Sequence, residues 1–481
     1  MSYNTPAFFY GVLFLLGVAC ALAFHPIYVV PFALCLWLYP KGIKWGLLIY
    51  ILGFGWGLMT YSLPALPEEG IEGQGIFHIS TLSYSHSPFQ RSLLYKGKLK
   101  QFSPFSKSIP CSLYFKDNKP RPLASSSLRV TGRLIPKGDH RYVFKVAAYE
   151  PLAKTFSLAE WRFNVKNQLR SHLSAHFPDP KSRALVLSML TGETDDRLLA
   201  LEFNRLGILH LLGISGFQFA LLAFLLGTLL RSFMPHRAAD MVLMALLSAY
   251  TFTLGDSPPI ERAWVGSILY LTAHLCGWRI SALNALGVAL LWQLVKDPLV
   301  IFHLGFQFSF LCTAAILMTY PLFRSVLYQW FEKRSFREVL RLPFLDQHGH
   351  LLSFFFREAL ALNGAIHLVT LPLIFYHFHK FPLLSLVYNL FLPATVSIVY
   401  LLLVIGISLP IVGPWLLAIT GKLTEGILKV TTHPPALYDF QWRIHDFPLT
   451  AAVAAISLIL FASYWASSRA SSMTPFGERS R

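Results

Sequence analysis

The chain has 481 residues, of which 54% are hydrophobic and only 14% charged, about half the charged share of a soluble protein. Long apolar stretches recur along it, which marks a polytopic membrane protein and excludes soluble multidomain, collagenous, coiled-coil and disordered classes. Lys and Arg number 41 against 24 Asp and Glu, a net +17 that either cytoplasmic loops or a polyanionic partner would explain, so its position must decide.

Three apolar segments open the chain, near 8–24, 27–38 and 45–61, and define an N-terminal membrane segment over 1–61. No Lys or Arg precedes the first, so it reads as an anchor and not as a cleaved signal peptide. Lys41 and Lys44 between the second and third segments, held in the cytoplasm, deliver the following region to the outside. That region, 62–155, carries five short β-patterned runs (76–82, 93–99, 112–115, 128–134 and 142–149) separated by Pro, Gly, Ser and Asn turns. Such a pattern suits a small extracytoplasmic β-barrel, with an OB-fold as the leading candidate. It holds 14 Lys and Arg against 6 Asp and Glu, a net +8 where the positive-inside bias would not place it. Lys96, Lys98 and Lys100 alternate along one run and leave the same face, which is either a solvated strand that resists aggregation or a surface for phosphates.

A helical connector follows over 156–205, with Leu158, Trp161, Val165, Leu169 and Leu173 recurring at helical spacing. The second apolar block, 206–466, reads as helices near 206–230, 238–254, 263–277, 282–295, 302–323, 359–376, 383–409, 411–428 and 448–465. About twelve spans result, uncertain by two. Arg231, Arg237, Arg279, the segment 324–358 and the tail 467–481, with Arg469, Arg479 and Arg481, then share the cytoplasmic side with both termini.

Polar groups inside apolar runs are costly, so their clustering points to function. His210, Gly213, Ser215, Gly216 and Gln218 fall in one run, where the glycines break the helix and free backbone groups to line a cavity, or else serve tight packing. Arg262 enters an apolar segment just after Pro258 and Pro259, placed to meet an anion or to snorkel to the interface. Gln307 lies in a run of alternating Phe and polar residues. His377 and His379 have no carboxylate or cysteine nearby, so no metal site is expected. The five cysteines (20, 35, 111, 276 and 312) form no CxxC motif and no disulfide framework. No P-loop is present, so no cofactor is expected and the driving force must come from elsewhere.

Several of these motifs, in order over roughly 184–399, resemble the ComEC competence proteins, which form the inner-membrane DNA uptake channel of transformable bacteria. They are Leu190-Thr191-Gly192-Glu193, the run from Phe203 to Gly216, Ser257-Pro258, Arg262-Ala263, Asn284-Ala285-Leu286, Asp297-Pro298-Leu299, Gly305 to Phe310, Leu371-Pro372-Leu373 and Asn389-Leu390. The resemblance implies a non-enzymatic conduit for single-stranded DNA in the bacterial cytoplasmic membrane. The path would be lined by His210, Ser215, Gln218, Arg262 and Gln307, broken at Gly213 and Gly216, with DNA contacts at Lys96, Lys98 and Lys100. It also implies membrane lipid, a periplasmic DNA receptor and a cytoplasmic ATP-driven DNA translocase as partners, and is compatible with a homo-oligomer. Two departures stand out. Phe217-Gln218 replaces the family's Leu-His, and no metallo-β-lactamase-like signature follows the last span, so no nuclease activity is expected. The competing readings are a carrier of a smaller anionic solute and a rhomboid-like serine protease, with Ser215 as nucleophile and His274 or His367 as base.

Overall fold

The computed structural model describes residues 5–60, 66–86, 91–103, 105, 108–116, 121–124, 126–137, 142–154, 157–194, 196–330, 336–433 and 440–473. Arg479 and Arg481 of the expected tail, and the start of the expected outer domain at residue 62, lie outside them. The chain is mostly helical, and its contacts divide it into two compact units, one built from 1–57, 265–394 and 434–481, the other from 58–264 and 395–433.

The first unit contains α1 (Pro6–Leu22), α2 (Val29–Leu38), most of α3 (Ile43–Thr60), α10 (Ala282–Lys296), α11 (Leu304–Met318), α12 (Tyr320–Trp330), α13 (Phe336–Leu340), α14 (Phe344–Phe378) and α17 (Leu449–Met473). Helix α1 lies against α10 so closely that a Cβ on Gly11 would strike the backbone of Gly287. Small residues are what permit such approach where water supplies no hydrophobic drive. At one end of this unit a two-stranded ribbon, β6 (Lys380–Pro382) and β7 (Gln441–Arg443), pairs antiparallel.

The second unit is headed by five strands: β1 (Ile71–His86), β2 (Arg91–Lys100), β3 (Ile109–Lys116), β4 (Ser126–Pro136) and β5 (Tyr142–Lys154). They close into a barrel in the order β1-β2-β3-β5-β4, antiparallel except where β3 meets β5. Strand alternation sends Phe77, Leu93, Tyr95, Leu99, Leu113, Leu128, Val130, Leu134 and Phe144 inward, where each is essentially inaccessible. All five β-patterned runs of the sequence are strands, longer than expected at most ends. Helix α4 (Leu158–His176) adds Ala159 and Phe163 to this core. Then come α5 (Pro180–Thr191), α6 (Arg197–Arg205), α7 (Gly216–Phe233), α8 (His236–Leu254), the start of α9 (Pro258–Cys276), most of α15 (Leu384–Ser408) and α16 (Gly413–Thr432).

Among the described residues six helices are long and apolar enough to cross a membrane: α3 with its preceding turn, α7, α8, α14, α15 and α17. The pair α11 and α12, bent by 43°, adds a seventh if counted as one span. With three shorter apolar helices beside them, the chain is a multi-pass membrane protein. Two expectations change. The helix expected over 206–230 begins only at Gly216, because the chain before it forms a 3-10 turn, Leu209–Leu212, and then an extended Gly213. The segment expected as a loop over 324–358 is largely helical, since α14 runs for 35 residues, about 52 Å, well beyond the ~30 Å of a hydrocarbon core.

Candidate functional site

The outer face of β2 carries the row read from the sequence. Leu93, Tyr95 and Leu99 point into the barrel, while Lys96, Lys98 and Lys100 are exposed. Their cross-strand neighbours are Thr81, His78 and Ile76 on β1, and Ser112 and Pro110 on β3 for the first two lysines. Two arginines elsewhere on the barrel are matched: Arg133 lies 2.7 Å from Glu72 and Arg129 3.7 Å from Glu150. Among the described residues the three lysines make no ion pair, and Lys137, 6.0 Å from the Tyr114 ring on β3, adds a further cation to this face. His78, bonded to Ser127 Oγ at 2.9 Å, adds nothing to it near neutral pH. Partial burial and the nearby Lys100 both hold its imidazole below its usual range. Tyr114, exposed on β3, presents a ring on the same outward face.

Helix α4 is fastened near its start and again in its middle turns. Near its start, Glu160 accepts from Arg121 Nη1 at 3.0 Å and from the backbone N–H of Ala124 at 2.8 Å, and Arg121 lies over the Phe163 ring. Burial works to raise the Glu160 pKa, but these donors outweigh it and hold the carboxyl below its ordinary range. Two turns on, Lys166 Nζ donates to Glu193 Oε1 at 2.7 Å and to the Leu254 carbonyl at 2.9 Å. Arg170 Nη2 donates to Glu193 Oε2 at 2.7 Å and stacks over Tyr84 of β1. Glu193, the acid of the Leu-Thr-Gly-Glu motif, therefore braces α4.

At the helix break, Ser215 is the N-cap of α7. Its Oγ accepts from the Gln218 N–H at 3.1 Å, and Gln218 Oε1 accepts from the Ser215 N–H at 2.8 Å, a reciprocal capping box. Ser-x-x-Gln was the sequence signal for this start. Gln218 is almost fully buried and serves the cap. Gly216 opens the helix, and a Cβ there would collide with Nη2 of Arg262. The missing side chain is what lets the guanidinium lie against the α7 N-terminus. A cation beside the positive end of a helix dipole makes a spot that favours an anion. His210 sits exposed in the 3-10 turn, and Gly213 has nothing within 4 Å of where a Cβ would stand.

In the first unit, Gln307 lies in the second turn of α11. Its Nε2 donates to the Ile301 carbonyl at 2.7 Å, and its Oε1 accepts from His377 Nε2 at 2.7 Å. The sequence did not foresee this pairing of Gln307 with His377. His367 Nδ1 bonds the Asn363 carbonyl at 2.8 Å. Among the described residues no three His, Cys, Asp or Glu side chains gather as a metal site would require.

Residues 191–469, more than half of the chain, match the family model described as "Competence protein". A stretch of 215 residues is 26% identical to the ComE operon protein 3 of Bacillus subtilis (strain 168), covering 44% of this chain and 24% of that protein. The matched stretch thus spans about a quarter of that curated relative. No solved structure matches.

Proposed function

The chain belongs to the Competence protein family, and from that premise we propose that it passes single-stranded DNA across the bacterial cytoplasmic membrane during natural transformation. The observation that carries the reading is the lysine row on β2, which has no ion pair among the described residues. Alternate strand residues stand ~6.8 Å apart, about twice the 3.4 Å axial rise per phosphate of one duplex strand. That spacing lets each lysine meet one phosphate of a nucleic-acid strand laid along β2. Tyr114 on the same face offers a stacking platform for a splayed base. The strand order 1-2-3-5-4 with a parallel β3–β5 contact supports an OB-fold, whose strands 2 and 3 form the usual nucleic-acid face.

In this reading the barrel lies outside the cytoplasmic membrane and receives the strand. Arg262 at the α7 N-terminus draws each phosphate inward, and a field that attracts without enclosing also releases. His210 and Gln307 are also assigned to the path, while Gly216 with the Ser215–Gln218 cap sets the shape of the break that follows the extended Gly213. About twelve spans, of which six long helices, one bent pair and three shorter apolar helices are among the described residues, leave both termini in the cytoplasm. The conduit performs no chemistry. A periplasmic receptor supplies the strand, an ATP-driven cytoplasmic translocase pulls it, and membrane lipid surrounds it. Engagement of Ser215 Oγ in the cap supports a structural serine over a nucleophilic one.

The test is uptake of labelled DNA by cells carrying wild type, a deletion, or Arg262→Ala at matched expression. The reading expects the deletion to keep periplasmic DNA and lose cytoplasmic DNA, and the point variant to lose most cytoplasmic DNA. Normal cytoplasmic uptake in the deletion refutes it and returns attention to small anionic solutes.

A further inference from the structure

The ribbon at one end of the first unit carries an arrangement that folding alone disfavours. In its register Lys380 pairs directly with Arg443, and Pro382 with Gln441, so both cations and the amide share one face. Like charges directly opposite one another on antiparallel strands destabilise the pairing. Among the described residues neither cation has an ion-pair partner. The ribbon is nonetheless fixed in place. His379, which ends α14, takes a left-handed backbone at φ 55°, an unfavourable choice for a residue with a side chain. Its carbonyl accepts from the Ile444 N–H at 3.1 Å, and the Leu383 N–H donates to the Phe440 carbonyl at 3.3 Å. On the other face Trp442 packs edge-on against the buried Phe375. The backbone thus accepts strain and charge repulsion to hold two cations side by side, a local conflict of the kind found at binding sites.

A planar guanidinium beside a compact ammonium, with an amide donor on the same face, suits one tetrahedral anion that accepts from several sides. Resting on the strand passage proposed above, we propose that Lys380, Arg443 and Gln441 form a second contact for single-stranded DNA and grip one backbone phosphodiester. A lipid head group offers the same phosphodiester chemistry, but what adjoins the ribbon favours the strand. The turn of α14 that ends at the ribbon holds His377, whose bond to Gln307 continues the polar surface into the helices. A lipid site needs only an apolar wall there.

The experiment uses the full chain in discs of neutral phosphatidylcholine and follows the anisotropy of a fluorescein-labelled oligothymidylate over a salt series. Wild type is compared with Lys380→Gln/Arg443→Gln, with the charge-keeping Lys380→Arg/Arg443→Lys, and with Lys96→Gln/Lys98→Gln/Lys100→Gln. Removing one phosphate contact is expected to flatten the log–log salt slope by ~0.7 and to weaken binding several-fold near 0.1 M salt, with the charge-keeping pair close to wild type. An unchanged slope in Lys380→Gln/Arg443→Gln overturns the inference while wild-type binding leaves the DNA reading standing. Absence of salt-sensitive binding by wild type sinks both. If the double variant loses co-purified phosphatidylglycerol but binds the oligonucleotide normally, the site is a lipid site and the inference fails. Should that variant not fold, wild type irradiated with a 5-iodouracil oligonucleotide decides. A cross-link within 440–445 supports the contact, and cross-links confined to the barrel overturn it.

Discussion

Replacing Glu193 by glutamine keeps its shape and removes the charge shared by Lys166 and Arg170. All three side chains are nearly enclosed, at 11%, 11% and 18% exposure, with both contacts at 2.7 Å. Breaking a buried ion pair by removing one partner costs about 3–5 kcal/mol, because a charge is left without compensation. Residual water access places this site at the low end, about 3 kcal/mol. Because Lys166 still donates to the Leu254 carbonyl and Arg170 still meets Asn167 and the Tyr84 ring, neither cation is left wholly uncompensated, which lessens the loss by about 1 kcal/mol. The net loss of about 2 kcal/mol corresponds to a roughly 30-fold larger open population of α4. Native-state hydrogen exchange of the full chain in bilayer discs reads this directly: α4 and α5 amides should exchange ~30-fold faster, with core strands of the barrel little changed. Lys166→Met combined with Glu193→Gln should cost less than the sum of the two single changes, since each removes the same contact. Exchange in Glu193→Gln within threefold of wild type, or strict additivity in the double variant, would show that the brace does not exist.

Neutralising Lys96, Lys98 and Lys100 to Gln should lower the salt slope for single-stranded DNA by ~2, at ~0.7 per phosphate, without shifting the thermal melt of the barrel. Glu160, whose carboxyl is held below its ordinary value of 4.5, contributes stability that is complete above that pH and is lost as the pH falls through its depressed value. Protection factors of the amides at the start of α4, referred to the intrinsic exchange rate at each pH, should therefore fall as the medium is acidified below pH 4.5, and Glu160→Gln should abolish that fall. Gly216→Ala should displace the Arg262 guanidinium and cut DNA uptake at least tenfold, whereas Gly213→Ala, with open space around it, should leave uptake within twofold. Equal loss in both variants would detach the effect from Arg262.

The barrel was legible because inward and outward residues alternate along most of each strand, broken only where a bulge shifts the register as between Ile79 and Thr81, and that signal is local. Its strands run longer than the alternation suggested: β1 begins at Ile71, before Gly73 and Gly75, where glycines interrupt the apolar pattern but not the pairing. The break before α7 was legible as a break, but its cap was not. Reading 206–230 as one helix hid the reciprocal Ser215 and Gln218 bonds, which a Ser-x-x-Gln search at the start of an apolar run would have found. The extent of α14 was obscured because Asp346, Gln347, His348 and His350 read as loop, although together with the apolar residues around them they complete a helix. Pairings such as Lys166 with Glu193, Gln307 with His377 and Lys380 with Arg443 leave no trace in periodicity. They join distant stretches, and three-residue strands are too short to announce themselves.

Helix α4 also bears on how such proteins can be rebuilt. Its first two turns belong to the barrel through Ala159, Glu160 and Phe163, and its later turns are tied to Glu193 and Leu254. A chimera that exchanges the barrel alone, cut before Leu158, would leave Arg121 without its carboxylate and the core without its plug. A cut after Phe163 carries both along and keeps Lys166 and Arg170 with Glu193, crossing the Arg170–Tyr84 stacking and the Arg162 bond to the Phe252 carbonyl. The seam for recombination therefore runs through the middle of a continuous helix, and not through the loop where a sequence comparison would place a domain boundary.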